Sequence, residues 1–444
     1  MELKELIKIT KGKIINAYKD VKITGFKTDT RKLKKGDVYI ALKGNKLNGH
    51  DYINDKLKAS VIISEEDIYL KDIPVIKVKS TYDTLFYIGN YLRKKYDIPV
   101  IAITGSNGKT TLKELIYNIL SKKYKVLKND GNKNNLVGVF ETVSNLNKKH
   151  DIAIFELGMN HQGEISKLSK MIEPTIGIIT NIGSSHIGNL GNRKNIFKAK
   201  MEICDGLNGT LIVNGDNKFL KKTKGYKCGI KENNDLIAYN IHIYKNYLTF
   251  NIYIDDEYEI RFNIPAKDYI PSILEAIKIG TYFDIPINDI IDTISNYTMY
   301  DNRLNEIKLN NYTVIDDSYN ASYDSVKNSL DLIGKSSKRK IAVLGDILEL
   351  DKYGESIHRS IAPIVIANKI DKLFLVGDMA KYIGLEATKL GYNSDNIYYF
   401  SKESDSYQTL EKELKKDDIV LFKASHCINL NKIVDYLMNK STEK

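Results

Sequence analysis

A chain of 444 residues with 42% hydrophobic residues is long enough for two or three cores and too apolar for a disordered polymer. The formal charge of +11 comes from lysines spread among Asn, Ile and Tyr along the whole length, so it reads as compositional bias with a modest pull on anionic substrates, and no nucleic-acid partner is expected. Three cysteines without a C-x-x-C pair give no zinc site, and no run approaches the roughly 20 apolar residues of a membrane span, so a cytoplasmic protein without stable membrane insertion is expected.

The opening Met1-Glu-Leu-Lys-Glu-Leu-Ile7 has the pattern of a charged amphipathic helix and not of a signal peptide. Through residue 97, short apolar strands (21–26, 37–42, 60–63 and 74–78) alternate with helical stretches, which predicts a small α/β domain. Its notable run is Thr28-Asp29-Thr30-Arg31, then Gly36-Asp37, Gly44 and Asn48-Gly49-His50. Polar side chains and glycines behind strands suit a phosphorylated or sugar ligand, with Thr30, Asn48 and His50 beside it and Arg31 as a bidentate grip. Ordinary surface turns have the same composition.

Residues 98–111 read Ile-Pro-Val-Ile-Ala-Ile-Thr-Gly-Ser-Asn-Gly-Lys-Thr-Thr, an apolar β-branched run that breaks into a glycine turn and then a helical pattern. This is the form of a phosphate-binding loop. Gly105, Ser106, Asn107 and Gly108 curl so that successive N–H groups point inward, and the helix that follows adds its positive end. Lys109 reaches the β- and γ-phosphates, the Thr110 hydroxyl ligates Mg²⁺, and Thr111 completes the motif. The eight-residue form has one more glycine, where Ile103 stands; the strand before the loop and the helix over 112–120 compensate. Further strands at 151–157, 175–182 and 209–213 predict a parallel sheet covered on both faces. Glu156 and His186 fall at adjacent strand ends, where ligand groups gather in such sheets. Carboxylate, imidazole and hydroxyl suit Mg²⁺ bridging ATP phosphates, although each residue alone also fits an ordinary core position. Lys200 alone reads as a solvated helix lysine. Strict alternation between 236 and 264, with Asp255-Asp256 as a turn, predicts an antiparallel hairpin. From residue 300 a third α/β unit follows, with strands at 312–315, 340–344, 372–376 and 418–422 and no second phosphate loop.

The strings Thr104-Gly-Ser-Asn-Gly-Lys-Thr-Thr111, Phe155-Glu-Leu-Gly-Met-Asn-His-Gln-Gly-Glu-Ile165, Ile179-Thr-Asn-Ile-Gly-Ser-Ser-His-Ile-Gly-Asn-Leu-Gly191 and Lys198-Ala-Lys-Met-Glu202 together resemble the Mur ligase family. The likeness continues through Val213-Asn-Gly-Asp-Asn217, Asp316-Asp-Ser-Tyr-Asn-Ala321, and Val343-Leu-Gly-Asp-Ile-Leu-Glu-Leu350 with His358, and reaches back to the Arg31 and His50 stretches. The resemblance implies a three-domain α/β architecture: residues 1–97 holding a UDP-sugar substrate, 98–299 a central P-loop parallel-sheet ATPase domain, and 300–444 a Rossmann-like domain that closes on nucleotide and receives an amine. It implies an ATP-dependent amide ligase of peptidoglycan precursor synthesis, acting as a monomer on a UDP-muramoyl peptide and D-alanyl-D-alanine. It further implies two Mg²⁺ ions with a carbamylated Lys200 as ligand, Arg303 near the phosphates, Asp317 near the ribose, and Asn132, Asn134 and Asn135 facing the muramoyl peptide. Lys109, Lys200 and Arg303 would be the catalytic set.

Three stretches depart from the family pattern. Ala266-Lys-Asp-Tyr-Ile-Pro-Ser272 replaces a Gly-Lys-His-Asn run near adenine, Asn320-Ala-Ser-Tyr323 replaces Asn-Ala-Asn-Pro, and Lys423-Ala-Ser-His426 replaces Lys-Gly-Ser-Arg. A ligase of the same fold adding another residue, a nucleic-acid-stimulated ATPase and a scaffold without turnover are the competing readings.

Overall fold

A computed structural model describes residues 1–16, 21–298 and 303–442. The boundary expected between 299 and 300 lies outside the described residues. The chain forms two compact units, one of residues 1–104, 120–179 and 199–212, the other of 105–119, 180–198 and 213–444.

The first 97 residues build a five-stranded sheet in the order Lys13–Ile14, Val75–Lys77, Val61–Ser64, Asp37–Ile40, Gly25–Lys27. Its last four strands are parallel and the 13–14 edge is antiparallel. The amphipathic opening forms the helix Leu3–Thr10, which buries Leu3 and Leu6. These join Phe26, Val38, Val61 and Ile76, Leu85 and Ile88 of the helix Thr81–Lys94, and Phe140 of the helix Leu136–Val143. Phe26 and Phe140 meet edge to face at 6.2 Å between centroids, the arrangement aromatic quadrupoles favour.

The seven-stranded sheet runs Leu236–Ile237, Tyr226–Gly229, Thr210–Asn214, Ile176–Ile179, Val100–Thr104, Ile152–Glu156, Val126–Lys128. Val100–Thr104 pairs in parallel with both Ile152–Glu156 and Ile176–Ile179. All three strands are buried throughout, which is why they read as unbroken apolar runs and not as alternation. The alternating stretch forms three antiparallel strands, Tyr239–Ile243, Leu248–Tyr253 and Glu257–Phe262, one more than the expected hairpin. A second tight turn, closed by Tyr244 N–H donating to Tyr247 O at 2.8 Å, makes the extra strand.

The last sheet is ordered Asn305–Lys308, Thr313–Asp316, Ile419–Lys423, Lys340–Gly345, Lys372–Val376, Ile397–Phe400, parallel except for the 305–308 edge. Two cores cover its faces, one with Val326, Leu330 and Ile333 of the helix Tyr323–Gly334, the other with Ile433, Val434 and Leu437 of the helix Asn431–Thr442. Placing helices on both faces leaves the carboxyl ends of the strands to carry loops, and those loops supply the residues that follow.

Candidate active site

In the second unit the phosphate loop leads into the helix Lys109–Leu120. Gly105 has φ 151°, and a Cβ there would stand 2.0 Å from Thr180 Oγ1; Gly108 has φ 79°. Both positions need a residue without a side chain. The loop is tied to the turn after Ile176–Ile179: Asn181 Oδ1 accepts from the Ser106 and Asn107 N–H groups at 3.1 and 2.9 Å, Thr180 Oγ1 donates to Asn107 O at 2.6 Å, and Gly183 N–H donates to Ser106 Oγ at 2.9 Å. This corrects the picture of every loop N–H facing an anion, because those of Ser106 and Asn107 are committed to Asn181 and set the loop's shape in advance. Lys109 Nζ donates to Gly105 O at 2.9 Å and Ser106 O at 3.4 Å. Thr110 and Thr111 are buried in the first turn of the helix.

Arg303 reaches this loop from 193 positions away, its Nη2 donating to Thr110 Oγ1 at 3.1 Å. Its guanidinium carbon lies 4.1 Å from the centre of the Tyr319 ring. Asp317, expected near a ribose, is held internally: its buried carboxylate accepts from Lys423 Nζ at 2.5 Å, Ser329 Oγ at 2.5 Å and Leu304 N–H at 3.3 Å. A carboxylate so enclosed anchors the chain beside Arg303.

His186 carries φ 63°, and its Nδ1 lies 2.6 Å from Glu349 Oε2. The bond to His186, helped by the positive charge of Lys109, holds the Glu349 carboxyl below its ordinary value. The Glu349 segment is fastened to the 186–191 turn by Gly188 N–H donating to Glu349 O at 3.2 Å and by Tyr353 OH donating to Gly191 O at 2.8 Å.

The departures from the family pattern have physical counterparts. Ser322 caps the helix Tyr323–Gly334, accepting from Ser325 N–H at 3.2 Å, and donates to Asn107 Oδ1 at 3.1 Å. Ser serves at a helix cap as well as Asn does, so Ser322-Tyr323 starts the helix where Asn-Pro would. Asp324 then accepts from the Ser184 N–H and hydroxyl, both at 3.0 Å. His426 is exposed at the start of a short 3-10 turn, its ring 5.8 Å from that of Tyr319. The 267–269 turn precedes a helix with Pro271 in its first turn, and a Cβ on Gly108 would lie 3.7 Å from Ser272 Oγ. Burial pushes the Asp268 carboxyl up.

In the first unit Glu156 is buried, and its Oε1 accepts from Asn134 Nδ2 at 2.8 Å. Asn129, fully buried, accepts from Glu156 N–H at 2.8 Å and donates to Glu156 O at 3.0 Å and Lys133 O at 2.8 Å. Asn132 O accepts from Asn134 N–H at 2.7 Å, and Asn135 caps the helix Leu136–Val143. Lys200 is 0% exposed, not a solvated surface lysine.

Near the N-terminus, Arg31 is exposed and holds Asp29 through Nε at 3.0 Å and Nη2 at 2.9 Å. That bond takes the Asp29 carboxyl down to about 2. Thr30 and Arg31 sit in a 3-10 turn capped by Asp29. His50 is buried with both ring nitrogens engaged, Nδ1 at 2.7 Å from Asn48 Oδ1 and Nε2 accepting from Glu65 N–H at 3.0 Å. Its ring therefore braces the 48–52 turn.

Of the four expected metal residues, Thr110 and His186 belong to the second unit and Glu156 and Lys200 to the first. Among the described residues no three His, Cys, Asp or Glu side chains form a metal-binding group. The donor set fits Mg²⁺ only with added oxygens, from phosphates, water and a lysine carbamate. No helix among the described residues is long and apolar enough to cross a membrane.

Reading the sequence missed Asn129, Tyr319, Ser322, Asp324 and Glu349 as site residues, and Asn181 stood out only as the start of the run that ends at His186. Asn181 carried a signal, since it directly follows a buried strand; the others depend on chain segments that meet only in the fold.

Residues 103–280 match the family profile "Mur ligase middle domain" and residues 302–426 match "Mur ligase, glutamate ligase domain". The UDP-N-acetylmuramoyl-tripeptide--D-alanyl-D-alanine ligase of Bacillus subtilis is 33% identical, with 98% of each chain covered. The crystal structure of MurF from Acinetobacter baumannii superposes with a TM-score of 0.89 at 27% identity, 98% of each chain being covered. The MurF ligase of Thermotoga maritima, solved in complex with ADP, shares the fold with a TM-score of 0.84 at 24% identity, covering 94% of this chain and 98% of that one.

Proposed function

The chain belongs to the Mur ligase family, and from that premise we propose that it joins D-alanyl-D-alanine to a UDP-N-acetylmuramoyl tripeptide, converting ATP to ADP and phosphate through an acyl phosphate. The observation that carries this reading is Arg303 Nη2 at 3.1 Å from Thr110 Oγ1, which brings a permanent cation onto a phosphate loop. The tripeptide carboxylate attacks the γ-phosphorus, the amine of the dipeptide then attacks the acyl carbon, and phosphate leaves.

Gly105 to Thr111 cradle the nucleotide phosphates on a loop whose shape Asn181 has already fixed, so little reorganisation accompanies binding. Lys109 leaves the Gly105 and Ser106 carbonyls for the β- and γ-phosphates, and Arg303 offers its N–H edge to the transferring group. Such catalysis is positioning plus charge stabilisation, with no proton abstraction required of the loop. Thr110, Glu156, His186 and a carbamylated Lys200 are the residues that would hold Mg²⁺, whose charge screens the phosphate oxygens when bound. Glu349 would orient His186 through Nδ1 and leave Nε2 for the ion. Residues 1–97 take the UDP-sugar, with Thr30, Arg31 and Asn48 at its contact surface, and Asn132, Asn134 and Asn135 face the peptide. The domain from residue 300 brings in the amine, and the enzyme works as a cytoplasmic monomer on soluble substrates.

Phosphate release measured with ATP, UDP-muramoyl tripeptide and either D-alanyl-D-alanine or single amino acids tests the assignment. Turnover with the dipeptide alone is expected. Turnover with a single amino acid and none with the dipeptide would move the chain to another ligase of this family.

A further inference from the structure

The loop after the strand Thr313–Asp316 is pinned at nearly every residue. Ser318 donates to Asp316 Oδ1 from its N–H at 3.0 Å and its hydroxyl at 2.6 Å. Asp317 N–H donates to Phe422 O at 3.0 Å, and Lys423 Nζ, itself buried, binds the Asp317 carboxylate at 2.5 Å and Asn320 O at 3.1 Å. The Tyr319 ring projects from the middle of this pinned segment, with Arg303 over its face at 4.1 Å. The same segment also fixes the residue after the arginine: Leu304 holds φ 49°, sparsely populated for a leucine, and its N–H donates to Asp317 Oδ1 at 3.3 Å. Arg303 is thus mounted at two points, through its neighbour's backbone and through its guanidinium. Its Nη2 touches Thr110, while its buried Nε finds no acceptor among the described residues. A buried N–H without an acceptor is costly and calls for an oxygen supplied from outside.

We propose that Tyr319 is a positioning residue for the phosphoryl-transfer step, its ring holding the Arg303 guanidinium edge-on to the phosphate loop so that Nε–H and the remaining N–H groups meet an incoming anionic oxygen. The proposal rests on the reading of Arg303 as the cation at the transferring phosphoryl group. A ring face attracts a guanidinium by its quadrupole and leaves the N–H edge unused, so it fixes direction without consuming donors. A carboxylate partner would take those donors, as Asp29 takes those of Arg31. On the sequence that follows Lys423, His426 lies 5.8 Å from the Tyr319 ring at a tilt of 43°.

Because the ring acts on an interaction that strengthens in the transition state, its loss lowers kcat and leaves the KM for ATP nearly unchanged. Tyr319→Ala is expected to lower the kcat of ligation about tenfold. Tyr319→Leu, which keeps apolar bulk without a quadrupole, should do the same while melting close to the parent protein, and Tyr319→Phe should recover to within about twofold. The deciding comparison is Arg303→Ala against Arg303→Ala/Tyr319→Ala. Residues acting as one unit are non-additive, so the double variant should be no slower than Arg303→Ala alone. A further tenfold loss in the double variant, a Phe variant as impaired as Ala, or an unchanged kcat in both Ala and Leu variants would overturn the role of the ring. Full ligation by Arg303→Ala would instead overturn the reading of the arginine itself, and this proposal with it.

Discussion

Glu275 lies on the helix Ile270–Tyr282 with 0% exposure, and among the described residues neither of its carboxylate oxygens has a hydrogen-bond partner. Burial pushes its carboxyl well above the ordinary value. Burial therefore favours the protonated, neutral form in the folded protein, whereas water around the unfolded chain favours the ionised one. Between those two pKa values the folded state binds one more proton than the unfolded state, so stability falls as pH rises through that window, by about 1.4 kcal/mol per pH unit at most. Even neutral, an unsatisfied buried polar group costs about 1–3 kcal/mol, and a methionine of similar length removes it for a repacking cost below about 1.5 kcal/mol. Glu275→Met should therefore raise stability by about 1–2 kcal/mol, a few degrees in the melting transition that includes this helix. Thermal melts followed by circular dichroism at pH 5, 7 and 9 measure it. The gain over the parent should widen from pH 5 upward until the folded-state pKa is passed. A variant less stable than the parent at all three values, or a gap that does not change with pH, would refute the assignment of Glu275 as a buried neutral acid.

Lys109→Ala should lose ligation by a factor on the order of 10³ or more, because no neutral side chain replaces its charge at the phosphates; near-normal turnover would remove the loop from catalysis. Lys200→Ala should be nearly inactive, remain folded by circular dichroism, and recover partly in millimolar acetate, which supplies the carboxylate that a lysine carbamate would have provided. Full activity without acetate would withdraw Lys200 from metal binding. Arg31→Ala should raise the KM for the UDP-muramoyl acceptor by about tenfold and leave that for ATP in place, and an equal rise in both would place Arg31 outside the substrate site.

The buried parallel strands were readable because burial on both faces turns them into β-branched apolar runs: Val100–Thr104, Ile152–Glu156 and Lys372–Val376 appear within a residue or two of where the sequence predicts them. Asn305–Lys308 was not readable, since an edge strand with mostly exposed residues carries no apolar signal. The phosphate loop was legible because glycines at positive φ are dictated locally. Lys200 was not, because its burial depends on what packs around its helix and not on Phe197-Lys-Ala-Lys-Met-Glu202 itself. Asp317 and His50 stand out in the sequence as special, but the internal partners that hold them were not legible there. Each has at least one partner from beyond its own turn, Lys423 for Asp317 and the Glu65 backbone for His50. Glu349 could be coupled to His186 only after the fold had closed a gap of more than 160 positions.

Phe140 is fully buried among Leu3, Phe26, Val38 and Leu85, although it comes from a helix beyond the phosphate loop. A segment that ends near residue 97 is therefore not a detachable module. Cut there, it would present to water the cleft that Leu136, Val137 and Phe140 fill, and the remaining protein would present those three side chains in turn. The two surfaces are adhesive by construction, so fragments produced by proteolysis between residues 97 and 135 should stay associated through gel filtration and separate only in denaturant.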